Sequence, residues 1–183
     1  MPDSVMIERI HPLLDRAFAT AGLSLAPCGE AERISLRADA ETASAIGVML
    51  GLELPKRPKT SASASGLAAL WLGPDEWLLI GELGSDLAGR LARVENGTFS
   101  AVDISHRNTA ILVSGPKAAD TLNSGCPQDL SLAAFPVGAA SRTLLAKSEI
   151  VLLREAENSF RVECWRSFSD YVWKYLVDAA KSA

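Results

Sequence analysis

Two apolar runs, Leu67 to Leu72 and Trp77 to Ile80, are separated only by Gly73-Pro74-Asp75-Glu76. Proline presets the backbone for a tight turn, so the runs are predicted to form a β-hairpin with a proline-set turn. Trp71 and Trp77 flank that turn. This hairpin fixes the class, because the segments on either side must supply the strands and helices that cover it.

Upstream, Ile34 and Leu36 alternate with Arg33, Ser35 and Arg37, the pattern of a half-buried strand from Glu32 to Arg37. A helix is expected next, opened by Asp39 as its N-cap and closed before Pro55. Residues 53–66 combine two prolines, three basic residues and a Ser/Ala run, and read as an exposed, mobile loop. Downstream, Leu87, Leu91 and Val94 share one face of a short helix from Ser85 that ends near Gly97. Phe99 to Ile104 and Thr109 to Val113 are further strands, joined by Ser105-His106-Arg107-Asn108. The order β, α, β, β, α, β is that of the ferredoxin-like split arrangement.

The second half repeats a β, α, β, β theme. A helix after Gly115-Pro116 stops at Asn123, before Gly125 and Pro127, and strands follow at Arg142 to Ala146, Ile150 to Arg154 and Phe160 to Trp165. A last helix begins near Ser167. At the other end, Met6, Ile10, Leu13, Leu14, Ala17 and Phe18 have the spacing of one helical face over residues 5–20, interrupted by Pro12. At 183 residues the chain is expected to form one α+β domain with two pseudo-repeated halves, about 1–104 and 105–183.

The net charge of −4 is spread along the chain and no basic stretch is dense enough to hold phosphate backbones, which argues against nucleic acid. No stretch approaches the roughly 20 apolar residues of a membrane span, and the N-terminus lacks the features of a secretory signal. Cys28, Cys126 and Cys164 are an odd number with no Cys-x-x-Cys spacing, which fits buried, reduced thiols. A cytoplasmic protein without membrane contact is expected.

Chemistry-bearing patterns are sparse. With His11 and His106 the chain has two histidines, and no Ser or Cys sits in a nucleophile-elbow context. Gly-x-Gly-x-x-Gly and P-loop patterns are absent, and the His and Cys residues are too scattered for a metal site. Neither a catalytic residue nor a metal ligand is therefore assigned. Attention shifts to contacts with other chains. In the last helix Phe168, Tyr171, Val172, Tyr175, Leu176 and Ala179 form an apolar stripe, and Trp173 and Val177 lie off it. They are either a docking pair or are covered by a loop of the same chain. Arg166 suits a bidentate carboxylate contact, while His106, Arg107 and Asp75 sit in turns where partners are met. Trp173, Val177, Arg166, His106, Arg107 and Asp75 are the candidate interface residues.

From Leu67 onward the chain resembles the gamma subunits of heterotetrameric sarcosine oxidase. The likeness runs through the Leu70 to Gly81 hairpin, Val102 to Pro116, Ser124-Gly125-Cys126-Pro127-Gln128-Asp129-Leu130 and Trp165 to Leu176. It implies a fold similar to the folate-binding domain of glycine cleavage aminomethyltransferase. It also implies a small non-catalytic subunit of a complex that demethylates sarcosine to glycine, with hydrogen peroxide and 5,10-methylenetetrahydrofolate formed. No cofactor is expected in this chain: FAD, FMN, NAD and tetrahydrofolate would belong to the partner alpha, beta and delta subunits, with alpha the one contacted. Two alternatives stand beside it. A free-standing aminomethyltransferase-like protein would be nearly twice as long, and its iron-sulfur assembly relatives carry Lys-Gly-Cys where this chain has Ser124-Gly125-Cys126. A ferredoxin-like regulatory domain would bind a metabolite between paired copies.

Overall fold

A computed structural model describes residues 10–182. The predicted hairpin is present as strands β5 (Leu67–Gly73) and β6 (Glu76–Glu82), with Trp71 opposite Trp77. Around it, β3 (Ala31–Ala38) leads into helix α1 (Ala40–Leu50), and α2 (Leu87–Leu91) leads into β7 (Phe99–Asp103). The Asp39 carboxylate accepts the Thr42 N–H at 2.8 Å, and Gly51 closes α1 in the left-handed conformation at φ 71°. β3 lies between β6 and β7, antiparallel to both, which is the strand order of the split β-α-β arrangement.

A second antiparallel sheet has the order β1-β2-β8-β11-β10-β9. It comprises β1 (Phe18–Thr20), β2 (Leu23–Pro27), β8 (Asn108–Ser114), β9 (Ala140–Leu145), β10 (Ser148–Ala156) and β11 (Ser159–Trp165). Helix α3 (Ala118–Asn123) and helix α4 (Ser169–Ser182), which follows a 3-10 turn at Arg166–Phe168, cover its outer face. α1 and α2 cover the outer face of the first sheet. The inner faces meet through Leu70, Leu78 and Ile80 on one side and Ala140, Val151 and Leu153 on the other.

Polar clamps cross between the sheets. Arg33 of β3 donates Nε to Glu163 of β11 at 2.7 Å, and Arg161 donates Nε to the other carboxylate oxygen at 2.7 Å. Arg33 and Glu163 are almost fully buried, so one carboxylate holds two guanidinium groups in the interior. Arg142 of β9 pairs with Glu76 of β6, and the Ser61 hydroxyl donates to the Gly138 carbonyl at 2.6 Å.

Several expectations need correction. The apolar spacing over residues 10–20 is not helical: a turn occupies Pro12–Asp15, Asp15 takes φ 59°, and Phe18–Thr20 pairs with β2. Residues 5–9 of that expected helix lie outside the described residues. Residues 53–66 are not a loop throughout. Ser61–Ala64 forms β4 on the edge beside β5, Leu54 is buried, and the Pro55 carbonyl accepts the Trp77 indole N–H at 2.7 Å. An edge strand gains its pairing from backbone groups, so small side chains suffice. β7 and β8 do not pair with each other either, because Ser105-His106-Arg107-Asn108 carries the chain from one sheet to the other. Finally, β1 and β2 join the sheet built by residues 108–165, so the two sheets do not divide the chain at residue 104.

Candidate partner interface

The crossover between the sheets is a tight turn set by Asp103. Its carboxylate accepts the Ser105 N–H at 2.8 Å and the Ser105 hydroxyl at 2.6 Å, while that hydroxyl accepts the Arg33 N–H at 2.9 Å. The Ile104 carbonyl then accepts the N–H groups of both Arg107 and Asn108. This leaves His106 and Arg107 exposed at the end of the sandwich, beside the end of β11.

There the guanidinium of Arg107 lies over the Trp165 ring, 5.2 Å from its centroid, and its Nε donates to Asn108 Oδ1 at 3.2 Å. The Trp165 and Phe168 rings are 6.0 Å apart and tilted by 48°. The Arg166 N–H donates to the Arg107 carbonyl at 2.7 Å, and the Arg166 guanidinium donates to the Ile10 carbonyl. His11 accepts the Leu13 N–H on Nδ1 at 3.2 Å and lies 3.0 Å from the Thr109 hydroxyl through Nε2. Burial, and then the Arg166 guanidinium, hold its pKa below the ordinary imidazole value. A neutral ring with its proton on Nε2 fits both contacts.

Of the candidate interface residues, Arg166, His106 and Arg107 therefore come together. Asp75 lies in the β5–β6 turn, where its carboxylate pairs with Arg37 at 2.8 Å. Trp173 is not on the water face: it is 6% exposed, within the core beneath α3 and α4, and Val177 packs half-buried beside it. The buried residues of α4 are Ser169, Val172, Trp173, Leu176 and Ala180, while Phe168 and Tyr171 are exposed. The inward arc is turned by nearly one residue's ~100° from the expected stripe. The physical reason is visible in the charges. Asp170, Lys174, Asp178 and Lys181 share one side of α4, and water solvates that side. Their positions are the sequence signal that would have set the phase.

Sequence reasoning also missed the Arg33–Glu163–Arg161 cluster and Arg154. The Arg154 guanidinium is buried, donates to the Leu130 carbonyl and stacks 4.3 Å from the Phe160 ring centroid. Isolated charges in alternating strands carry no signal of which partner they meet. The three cysteines are free, and burial pushes the Cys28 thiol up to about 11 and that of Cys164 up to about 12. Both stay protonated at neutral pH and are poor nucleophiles. Among the described residues no group of three or more His, Cys, Asp or Glu could hold a metal ion, and no helix is long and apolar enough to cross a membrane.

These features define a class: a small α+β chain of two face-to-face antiparallel sheets, one in ferredoxin-like order, that gathers arginines and aromatic rings at one end. Residues 35–182 match the family model described as "Sarcosine oxidase, gamma subunit family". The sarcosine oxidase subunit gamma of Arthrobacter sp is 37% identical over 138 residues, covering 74% of this chain and 68% of the relative. That of Corynebacterium sp. (strain U-96) is 36% identical over 141 residues, covering 74% and 67%. The chain belongs to the sarcosine oxidase gamma subunit family. Among solved structures, a chain of the heterotetrameric sarcosine oxidase from Corynebacterium sp. U-96 in complex with pyrrole 2-carboxylate superposes with a TM-score of 0.81 at 30% identity, over 87% of this chain and 84% of that one. The glycine cleavage system aminomethyltransferase T from Bartonella henselae shares the fold, with a TM-score of 0.62 at 14% identity over 86% of this chain and 46% of that one.

Proposed function

We propose that this chain is the gamma subunit of a heterotetrameric sarcosine oxidase and supports assembly of that complex without contributing a catalytic residue. The observation that carries the reading is the superposition on a heterotetrameric sarcosine oxidase chain over most of both lengths. The complex would demethylate sarcosine oxidatively to glycine, reduce oxygen to hydrogen peroxide and pass the one-carbon unit to tetrahydrofolate as 5,10-methylenetetrahydrofolate. Its partners are the alpha, beta and delta subunits, with alpha the chain contacted, in the cytoplasm. Three free thiols fit a reducing compartment.

FAD, FMN, NAD and tetrahydrofolate are assigned to the partner subunits. A dinucleotide fits poorly here, because its usual cradle is a parallel strand-turn-helix with a glycine-rich loop, whereas every strand pairing among the described residues is antiparallel. The hydroxyl contacts near Arg107, Ser105 to the Asp103 carboxylate and Thr109 to His11 Nε2, read as turn-holding contacts, and the depressed pKa of His11 follows from burial and neighbouring arginine.

The test is co-expression of the tagged chain with the candidate large subunits. A tag eluate that shows flavin absorbance and forms peroxide when sarcosine is added supports the subunit reading. A colourless eluate containing only this chain, with the large subunits present and soluble, contradicts it.

A further inference from the structure

Side-chain parity exposes an anomaly at the end of the sandwich where the chain crosses over. In β3, Ile34 and Leu36 point to the core under α1, so Arg33, Ser35 and Arg37 face the other sheet. Val102 of β7 is the register partner of Ser35 and shares that inner face. In the second sheet, Ile150, Val162 and Cys164 point to the core under α4, so Glu149, Glu163 and Trp165 face inward. Leu144 is the register partner of Glu149 and faces inward with it. Inner faces of a sandwich are normally buried by the opposite sheet. Yet Val102 is 52%, Leu144 48% and Trp165 41% exposed. Ser35, Glu149, Trp165 and Arg107 line one small cavity, and Val102 and Leu144 lie one strand out from Ser35 and Glu149 on the edge strands β7 and β9, so the exposed apolar side chains flank this wedge between the sheets.

The charges at that wedge say what would fill it. Arg142 is satisfied by Glu76 and Glu149, and Arg37 by Asp75. Arg107 meets the Trp165 ring and Asn108 Oδ1, and no carboxylate among the described residues pairs with it. Arg166, bonded to the Arg107 carbonyl, donates to a backbone carbonyl rather than to an acid. A guanidinium resting on an aromatic face, with donors left for a planar anion, suits a carboxylate brought in by an apolar segment.

We propose that this wedge seats a large subunit of sarcosine oxidase through an apolar segment that packs on Val102, Leu144 and Trp165 and delivers a carboxylate to Arg107. The proposal rests on the subunit reading above and adds to it the surface used and the chemistry of the partner segment. Aromatic and arginine side chains surrounded by apolar contacts are the composition of interface hot spots.

The experiment compares tagged wild type, Val102→Glu, Arg107→Glu and Val48→Glu, each co-expressed with the large subunits and each melted alone. Val48, 83% exposed on α1, is the control for an exposed valine outside the wedge. The expected result is that Val102→Glu and Arg107→Glu each reduce the large subunit retained by about tenfold or more, with melting temperatures near wild type, while Val48→Glu retains it fully. Full retention by both wedge variants overturns the proposal, and so does loss confined to Val48→Glu. If Val102→Glu only converts a dimer of this chain to a monomer and leaves the large subunits bound, the wedge is a self-interface and the proposal is also overturned. A wild-type chain that retains no large subunit overturns the subunit reading, and the wedge assignment falls with it.

Discussion

Glu163 is the residue on which the two sheets depend for their mutual setting. Its carboxylate meets Arg33 from the first sheet and Arg161 from its own strand, each at 2.7 Å. Removing one member of a buried ionic cluster leaves the others unpaired in a medium that solvates them poorly. Glu163→Ala should therefore lower stability by about 3–5 kcal/mol, read as a fall in the urea midpoint. Replacing all three residues together with apolar side chains of similar volume should cost far less, since no stranded charge remains. Trp173 supports the outer core in a different way, through volume alone. Trp173→Ala should cost about 3–5 kcal/mol in the same measurement. A loss of partner with unchanged stability would instead place that ring outside the core.

Among the elements, α1 shows a local signal that tertiary packing left intact. The Thr42 N–H bonded to its carboxylate holds the Asp39 pKa below the ordinary value, so the stabilisation is present above the unfolded-state value of about 3.9 and is lost as pH falls through the folded value. Asp39→Ala should lower the melting temperature by a few degrees at pH 7, and the difference between variant and wild type should shrink steadily below about pH 4. A difference independent of pH would show that the cap does not act through the ionised carboxylate. The same reasoning explains which elements were legible. The Leu67–Glu82 hairpin and α1 are specified by turn and cap residues within a few positions of each other. β4 and β1 are not, because short edge strands are recruited by the backbone of a neighbour distant in sequence. The phase of α4 was not legible from its apolar residues alone, because Phe168 and Tyr171 of the expected stripe are exposed while the charged side carrying Asp170, Lys174, Asp178 and Lys181 turns to water. At the interface, Arg166, His106 and Arg107 could be named singly, but their meeting depends on a crossover that only the sheet order reveals.

At the scale of the molecule, the path of the chain ties the two sheets together. Residues 18–27 leave the N-terminal region to extend the second sheet, residues 31–103 build the first, and the chain then returns beside β2. Neither segment 1–104 nor segment 105–183 carries a complete second sheet, and we read the whole chain as one cooperative unit. Urea unfolding followed by tryptophan fluorescence and by far-ultraviolet circular dichroism should give coincident single transitions, and residues 105–183 alone should not fold. Two separated transitions would divide the chain where the strand order says it is continuous. The central claim, that this fold exists to complete a larger enzyme, is tested most directly by the native mass of the co-expressed, purified assembly. The account predicts one 19.4 kDa copy of this chain bound with one copy of each of three different partner subunits. Masses that are only multiples of 19.4 kDa, in the presence of soluble partner subunits, would contradict it.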